Sequence, residues 1–281
     1  MSDAPLPSPG RPLARRPGPT VRTRVREFVG DDERVHEDRL ATEEPLEIRL
    51  SWPGRPADRA WVTMRTPGHD FELAAGWAIH EGYDAPAGVA YCTDVDLAPE
   101  QQFNVVTLTL PVAPAISAHR HESLATGSSA CGVCGKDSID TVLDLSAGRP
   151  WTGPLPSPDV VRRLPDLLRP AQSVFSRTGG LHGAGLFTAD GDRLVVREDI
   201  GRHNAVDKVT GARVLAGSDV AAACLVVSGR AGFELVQKAV AAGHGTLVAV
   251  GAPSSLAVDL ARRSGLGLYG FVRDDRCVRY A

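Results

Sequence analysis

From Ser157 to the C-terminus, short apolar runs alternate with amphipathic segments, and this alternation restricts the fold more than any other feature of the chain. Ser157-Pro158 opens a helix that runs to about Leu168, with the serine as cap and the proline in the first turn. GAGLFTADGDRLVVRE reads as a hairpin turning at Asp190-Gly191. A helix near Asn204 to Leu215 leads to the strand AACLVVS (222–228). The helix GFELVQKAVAAG stops at Gly243 and precedes the strand TLVAV (246–250). SSLAVDLARRSG is the next helix, and LGLYGFVR (266–273) is the last strand. Strands that are apolar throughout lie in a sheet covered on both sides. Residues 151–281 therefore predict an α/β domain, a largely parallel or mixed sheet with helices on both faces.

The N-terminal half is patterned differently. Residues 1–20 are rich in proline and arginine and offer little to bury, which predicts a disordered tail. The basic run Arg11, Arg15, Arg16, Arg22, Arg24 and Arg26 extends from it. Residues 21–112 read as a small α+β region. LEIRLSW (46–52) and FNVVTLTL (103–110) are its strands, and Asp70 is the expected cap of a helix that Gly82 stops. Between 113 and 150 the periodicity fades into histidine, serine, glycine and cysteine, which predicts a mobile loop.

Composition narrows the function classes. A net charge of −3 and a pI near 6.2 do not suit a protein built to grip nucleic acid, and 5% aromatic residues leave few stacking platforms. No apolar run has the length of a membrane span, and the N-terminus lacks the apolar core of a signal peptide. Five cysteines, three of them isolated at Cys92, Cys224 and Cys277, suggest reduced thiols and a cytoplasmic protein.

The other two, Cys131 and Cys134, form CGVCG inside the 113–150 loop. A structural zinc site wants four ligands, and no second CxxC exists; His119 and His121 lie too close together for the usual finger spacing. A thioredoxin-like pair would follow a strand and open a helix, which the glycine-rich flanks do not supply. A reactive thiol that moves between sites, helped by Gly127, Gly132 and Gly135 and activated by Lys136, fits better. Zinc, redox cycling and inert loop cysteines stay open at this point.

Three polar motifs lie downstream. REDIGRHNAVDKVTG (197–211) packs Glu198, Asp199, Arg202, His203, Asn204, Asp207 and Lys208 at a loop-to-helix entry. Charges on a solvated helix face and a cap explain one or two of these, which makes the motif a candidate ligand site. Ser228, Gly229 and Arg230 follow a strand and precede a helix, where free N–H groups collect anions. GAPSSLA (251–257) repeats that arrangement with Ser254 and Ser255, so the two loops suggest a nucleotide or phosphate cleft. In TGGLHGAGL (178–186), His182 is either a packed strand residue or a ligand contact.

Together ACGVCGK, TGGLHGAGL, EDIGRHNAVDKV, SGRAGFELVQKA, GAPSSLAVDLA and GLYGFVR, with TPGHDFELAAGWAIHEG earlier, resemble the FdhD family of formate dehydrogenase accessory proteins over about residues 45–275. The resemblance implies a dimeric sulfurtransferase with a cytidine deaminase-like fold. Its substrate would be the molybdenum cofactor, bis(molybdopterin guanine dinucleotide), supplied with sulfur from a cysteine desulfurase and destined for formate dehydrogenase. The persulfide-carrying cysteine of the family falls on Cys131, with Cys134 beside it, and its cofactor-binding segment on Phe271, Val272, Arg273, Asp274, Asp275 and Arg276. His182, Arg202, His203, Lys208, Ser228, Gly229 and Arg230 are further candidate contacts, and no resident metal is expected. Deaminase chemistry itself is not implied, because no glutamate follows His182 as H-x-E and the CxxC precedes it without a proline. The rival reading is a non-catalytic chaperone that binds the cofactor without moving sulfur.

Overall fold

A computed structural model of the chain describes residues 16–92, 102–114, 151–273 and 275–281. Its first element begins where the expected tail ends. Val21, Thr23 and Val25 alternate with Arg22, Arg24 and Arg26, and that period of two builds strand β1 (Thr20–Val29). A turn at Gly30, in the left-handed region at φ 60, returns the chain as β2 (Asp32–Ala41) in an antiparallel two-stranded ribbon. The arginines are thus spread along one face of a ribbon, and Pro19 already accepts a backbone hydrogen bond from Thr42. Residues 1–15 of the predicted tail lie outside the described residues.

A four-stranded sheet follows, built from β3 (Glu44–Trp52), β4 (Arg55–Arg65), β5 (Gly88–Tyr91) and β6 (Val105–Thr109) in the order β4-β3-β6-β5. β3 and β6 run parallel, and the outer pairings are antiparallel. Leu46, Ile48 and Leu50 alternate inward along β3 and meet Leu73 and Trp77 of helix α1 (Asp70–His80). Asp70 is not the cap. His69 occupies that position at φ 57, and Asp70 begins the helix with its carboxylate on the buried Arg65 guanidinium, at 3.0 and 3.3 Å. An acidic first turn also suits the helix dipole.

The C-terminal part is the mixed α/β unit that the alternation predicted. Its elements are α2 (Pro158–Leu168), α3 (Phe175–Thr178), β7 (His182–Phe187), β8 (Arg193–Asp199), α4 (Arg202–Leu215), β9 (Cys224–Val227), α5 (Phe233–Ala241), β10 (Thr246–Ala249), α6 (Ser255–Ser264), β11 (Gly267–Arg273) and β12 (Arg276–Arg279). The six strands lie in the order β12-β11-β10-β9-β7-β8, with β9, β10 and β11 parallel and the others antiparallel. Period-two alternation sends Leu186, Leu225, Val227, Leu247, Ala249 and Leu268 to one face, against α4, α5 and α6. Phe187, Cys224, Val226, Val248 and Tyr269 pack on the other face against α2. Ser157 caps α2 as expected, accepting from Val160 N at 3.3 Å.

The two sheets are joined through helices α1 and α4, whose backbones touch. A Cβ on Gly76 would lie 1.8 Å from Asp207 O, and one on Gly211 would lie 1.7 Å from Glu72 O. Only glycine fits at either point, and the resulting closeness lets buried polar groups reach across. Gly211→Ala is therefore expected to lower unfolding stability by about 2–3 kcal/mol through overpacking. Gly88→Ala, whose Cβ would meet nothing nearer than 3.9 Å, should change it by less than about 0.5 kcal/mol; urea denaturation of both variants checks the contrast.

Candidate functional site at the carboxyl edge of the central sheet

Parallel strands β9, β10 and β11 end at one edge, and helices α5 and α6 begin there. Crossover geometry makes this the edge where open α/β sheets bind ligands. β7 runs antiparallel to β9 with Ala184 opposite Val227, which brings His182 to the same edge beside Ser228 and Gly229. Gly183 N donates to Ser228 Oγ at 2.9 Å, and Ser228 N donates to Gly183 O at 3.0 Å. Gly229 lies beside the imidazole; a Cβ there would sit 3.4 Å from His182 Nδ1, in van der Waals contact. His182 and Asp199 are also opposite one another across β7 and β8, and Asp199 leads directly into the N-terminus of α4. That register delivers Arg202 and His203 to the site.

Electrostatically the edge is positive, and its histidine is neutral. Burial, then the nearby Arg202 and His203, pull the pKa of His182 below its ordinary value, against the opposite effect of Asp199. His182 is thus a neutral hydrogen-bonding ring near pH 7. His203 Nε2 lies 2.6 Å from Glu234 in the first turn of α5, and this hydrogen bond holds the Glu234 carboxyl below its ordinary pKa. Arg202 Nε is buried without a hydrogen-bond partner among the described residues, leaving it available to an acceptor.

The 271–276 segment reaches the same edge in part. β11 bulges after Gly270, and Phe271 takes φ 52 while its N–H donates to Gly251 O at 3.1 Å. A non-glycine residue in that conformation needs the surrounding structure to hold it. Arg276 lies over the Phe271 ring at 5.6 Å, and Arg273, Asp275 and Arg276 are exposed. Asp274 falls outside the described residues. Val272 turns the other way, fully buried against the α2 side of the sheet, so its side chain is core rather than a contact.

Lys208 also departs from expectation. Its ammonium is 2.7 Å from Asp199, donates to Thr66 O and Glu198 O at 2.9 and 3.3 Å, and has 1% of its side chain exposed. Asp199 additionally accepts from Thr66 N, Gly201 N and Asn204 Nδ2. Asn204 donates to Met64 O at 2.8 Å. Asp207 accepts from His80 Nδ1 at 2.6 Å and from Lys238 at 2.7 Å, and Thr210 Oγ1 meets His80 Nε2 at 3.0 Å. Burial opposes charge on Asp207, yet Lys238 and His80 hold it ionised. Glu198 accepts from the backbone N–H groups of Val174 and Phe175. Five of the seven polar residues in the motif therefore fasten the two sheets or their loops together; His203 is paired with Glu234, and Arg202 Nε has no hydrogen-bond partner among the described residues.

Sequence reasoning missed a cavity of about 310 Å³ lined by Arg169, Gln172, Phe175, Leu181, His182 and Ser228. Arg169 stacks over Phe175 at 4.2 Å, and none of the residues lining the cavity is acidic. No local pattern marks Arg169 or Gln172, because the fold alone carries them to His182. Cys131 and Cys134 lie outside the described residues. Cys224 is unsuited to nucleophilic work, since burial pushes its thiol pKa up to about 12.

The family is now settled by comparison. The FdhD/NarQ family model matches residues 41–281. The chain belongs to the FdhD/NarQ family. A relative from Streptomyces avermitilis, named sulfur carrier protein FdhD, is 48% identical over 84% of each chain. One of the same name from Mycobacterium tuberculosis is 46% identical over 91% of this chain and 94% of its own. The fold is similar to that of a putative formate dehydrogenase accessory protein from Desulfotalea psychrophila, with a TM-score of 0.68 at 21% identity, covering 93% of this chain and 96% of that one. The matched span contains the four- and six-stranded sheets, from Glu44 onward, and every site residue described above, whereas all of the β1–β2 ribbon but its last residue, Ala41, precedes it.

Two measurements separate fastening from ligand contact. Lys208→Met leaves Asp199 buried without its cation and is expected to cost about 3–5 kcal/mol of unfolding stability. His182→Ala, with its ring half-exposed at the edge, should cost less than about 1.5 kcal/mol. A third concerns pH. Burial raises the Glu72 pKa, but the hydrogen bonds and charges of Arg197 (2.7 Å) and His69 outweigh it and hold the carboxyl at about 2, below the 4.5 of a free glutamate. The depressed value stabilises the fold above pH 4.5, and that contribution is lost as pH falls towards 2. Glu72→Gln should flatten this acid limb by on the order of 1 kcal/mol after solvent screening, read by chemical denaturation at each pH.

Proposed function

We propose that the protein is a sulfur carrier in formate dehydrogenase maturation, taking persulfide sulfur onto Cys131 and passing it to the molybdenum cofactor held at the carboxyl edge of the central sheet. The observation that carries this reading is the convergence of His182, Arg202, Ser228–Arg230 and Phe271 on one positive edge, in a chain whose relatives are named sulfur carriers. The cofactor is the substrate of this step. As a bis(molybdopterin guanine dinucleotide) it bears phosphates and acceptor-rich rings, which suit exposed Arg230, Arg273 and Arg276 and the N-termini of α5 and α6. Neutral His182 and the hydroxyl of Ser228 give hydrogen bonds without adding charge.

In the loading step the Cys131 thiolate attacks the outer sulfur of a cysteine desulfurase persulfide. The new S–S bond forms on Cys131, the old one breaks, and the desulfurase cysteine leaves as its thiolate, with no net oxidation. Cys134 stands two residues away as an aid to transfer or a guard of the first thiol. These steps belong in the cytoplasm, where thiols stay reduced. No helix among the described residues is long and apolar enough to cross a membrane.

Intact-protein mass spectrometry after incubation with a desulfurase and free cysteine is expected to show an added mass of one sulfur atom, mapped to Cys131. Cys131→Ala should lose the adduct and formate dehydrogenase maturation while keeping the fold. Maturation at the normal level by that variant would instead identify a chaperone that binds the cofactor without moving sulfur.

A further inference from the structure

A carboxylate stands among the donors of the carboxyl edge. Glu234, the second residue of α5, lies 2.6 Å from His203 Nε2 with 32% of its side chain exposed. An acidic residue in the first turn of a helix is ordinary, since it complements the dipole. The surroundings set this one apart. The hydrogen bond from His203 holds the carboxyl below its ordinary pKa against the opposing effect of burial, and the charges of Lys238 and Arg202 assist. Glu234 is therefore ionised near pH 7 and can only accept, so the hydrogen on His203 Nε2 is donated to it and withheld from a ligand. Arg202, one residue earlier, keeps its Nε buried without a hydrogen-bond partner among the described residues. We propose that Glu234 is a placeholder anion, which occupies the His203 donor that an incoming phosphate-type oxyanion would use and must be displaced for that group to bind.

The helix itself supplies the place to which the carboxylate moves. Lys238 follows Glu234 by four residues on α5, the spacing and order in which a glutamate and a lysine attract best. Its ammonium already holds Asp207 at 2.7 Å and carries three hydrogens, so it can receive a second carboxylate. Leaving His203 therefore does not strand a charge. Asp199, which also acts on this edge through His182, cannot play the part, because Lys208, Thr66, Gly201 and Asn204 hold it in the interior. A built-in competitor lowers affinity, and a carrier needs that, since cargo held too tightly is not handed on. The inference rests on the reading that this edge receives a phosphate-bearing group, and it does not depend on sulfur transfer.

Isothermal titration of the full chain with pyrophosphate at low ionic strength tests it. Glu234→Ala is expected to tighten pyrophosphate binding by about tenfold, the sign opposite to that of a lost structural contact. Glu234→Gln keeps an oxygen on His203 without the charge and should give a smaller gain. In a His203→Ala background there is no donor to withhold, and Glu234→Ala should then change the dissociation constant by less than about threefold. A gain that survives undiminished in that background marks plain charge repulsion and overturns the proposal. Pyrophosphate binding by the wild type that Glu234→Ala leaves unchanged or weakens overturns the placeholder alone. If neither wild type nor Glu234→Ala binds pyrophosphate, the reading of the edge as a phosphate site falls together with it.

Discussion

The backbone contact of α1 with α4 is the constraint on which the rest of the structure depends. Two glycines, Gly76 and Gly211, let the helices approach until each one's carbonyls fill the space where the other's Cβ would be. At that separation His80, Asp207, Thr210 and Lys238 form one buried network, and Arg197 reaches Glu72. A wider crossing would take His80 away from the buried Asp207 carboxylate and leave it Lys238 alone, a costly loss for a buried charge. The two sheets are thus held as one body by sterics first and by electrostatics that the sterics permit.

The 198–208 motif shows how a single segment serves both the frame and the site. Inward-facing Asp199, Asn204 and Lys208 satisfy one another and backbone groups at Met64 of β4 and Thr66 just after it, while Asp207 is met by His80 and Lys238. Outward-facing Arg202 and His203 stand on the same helix start, beside His182. Fixing the inner residues therefore fixes where the outer ones point. Pre-organisation of this kind lowers the ordering entropy of ligand binding.

The chemistry of the site is split between groups that hold and groups that react. The carboxyl edge offers cations, hydroxyls and a neutral imidazole, while the one fully buried thiol among the described residues, Cys224, is silenced by its surroundings. Under the proposed relay the reactive sulfur arrives on Cys131, which lies outside the described residues.

Local periodicity was legible in the sequence wherever burial follows the repeat. The strands at 222–228, 246–250 and 266–273, the capped helix from Pro158 and the mixed α/β class all follow from alternation and turn chemistry. The ribbon at 20–41 carries the same signal in its Val/Arg alternation, although within the 21–112 region only LEIRLSW and FNVVTLTL were legible as strands. The strand-end loops announced Ser228, Gly229 and Arg230, because free N–H groups gather at such points. Sequence alone did not separate Lys208 from Arg202, or Val272 from Phe271, since neighbours in a motif are sent to opposite sides by a helix turn or a strand alternation. Only the tertiary structure decided which charges are buried partners and which face the edge. It also decided that Arg169 and Gln172 join His182, because contacts between residues distant in the chain leave no local pattern to read.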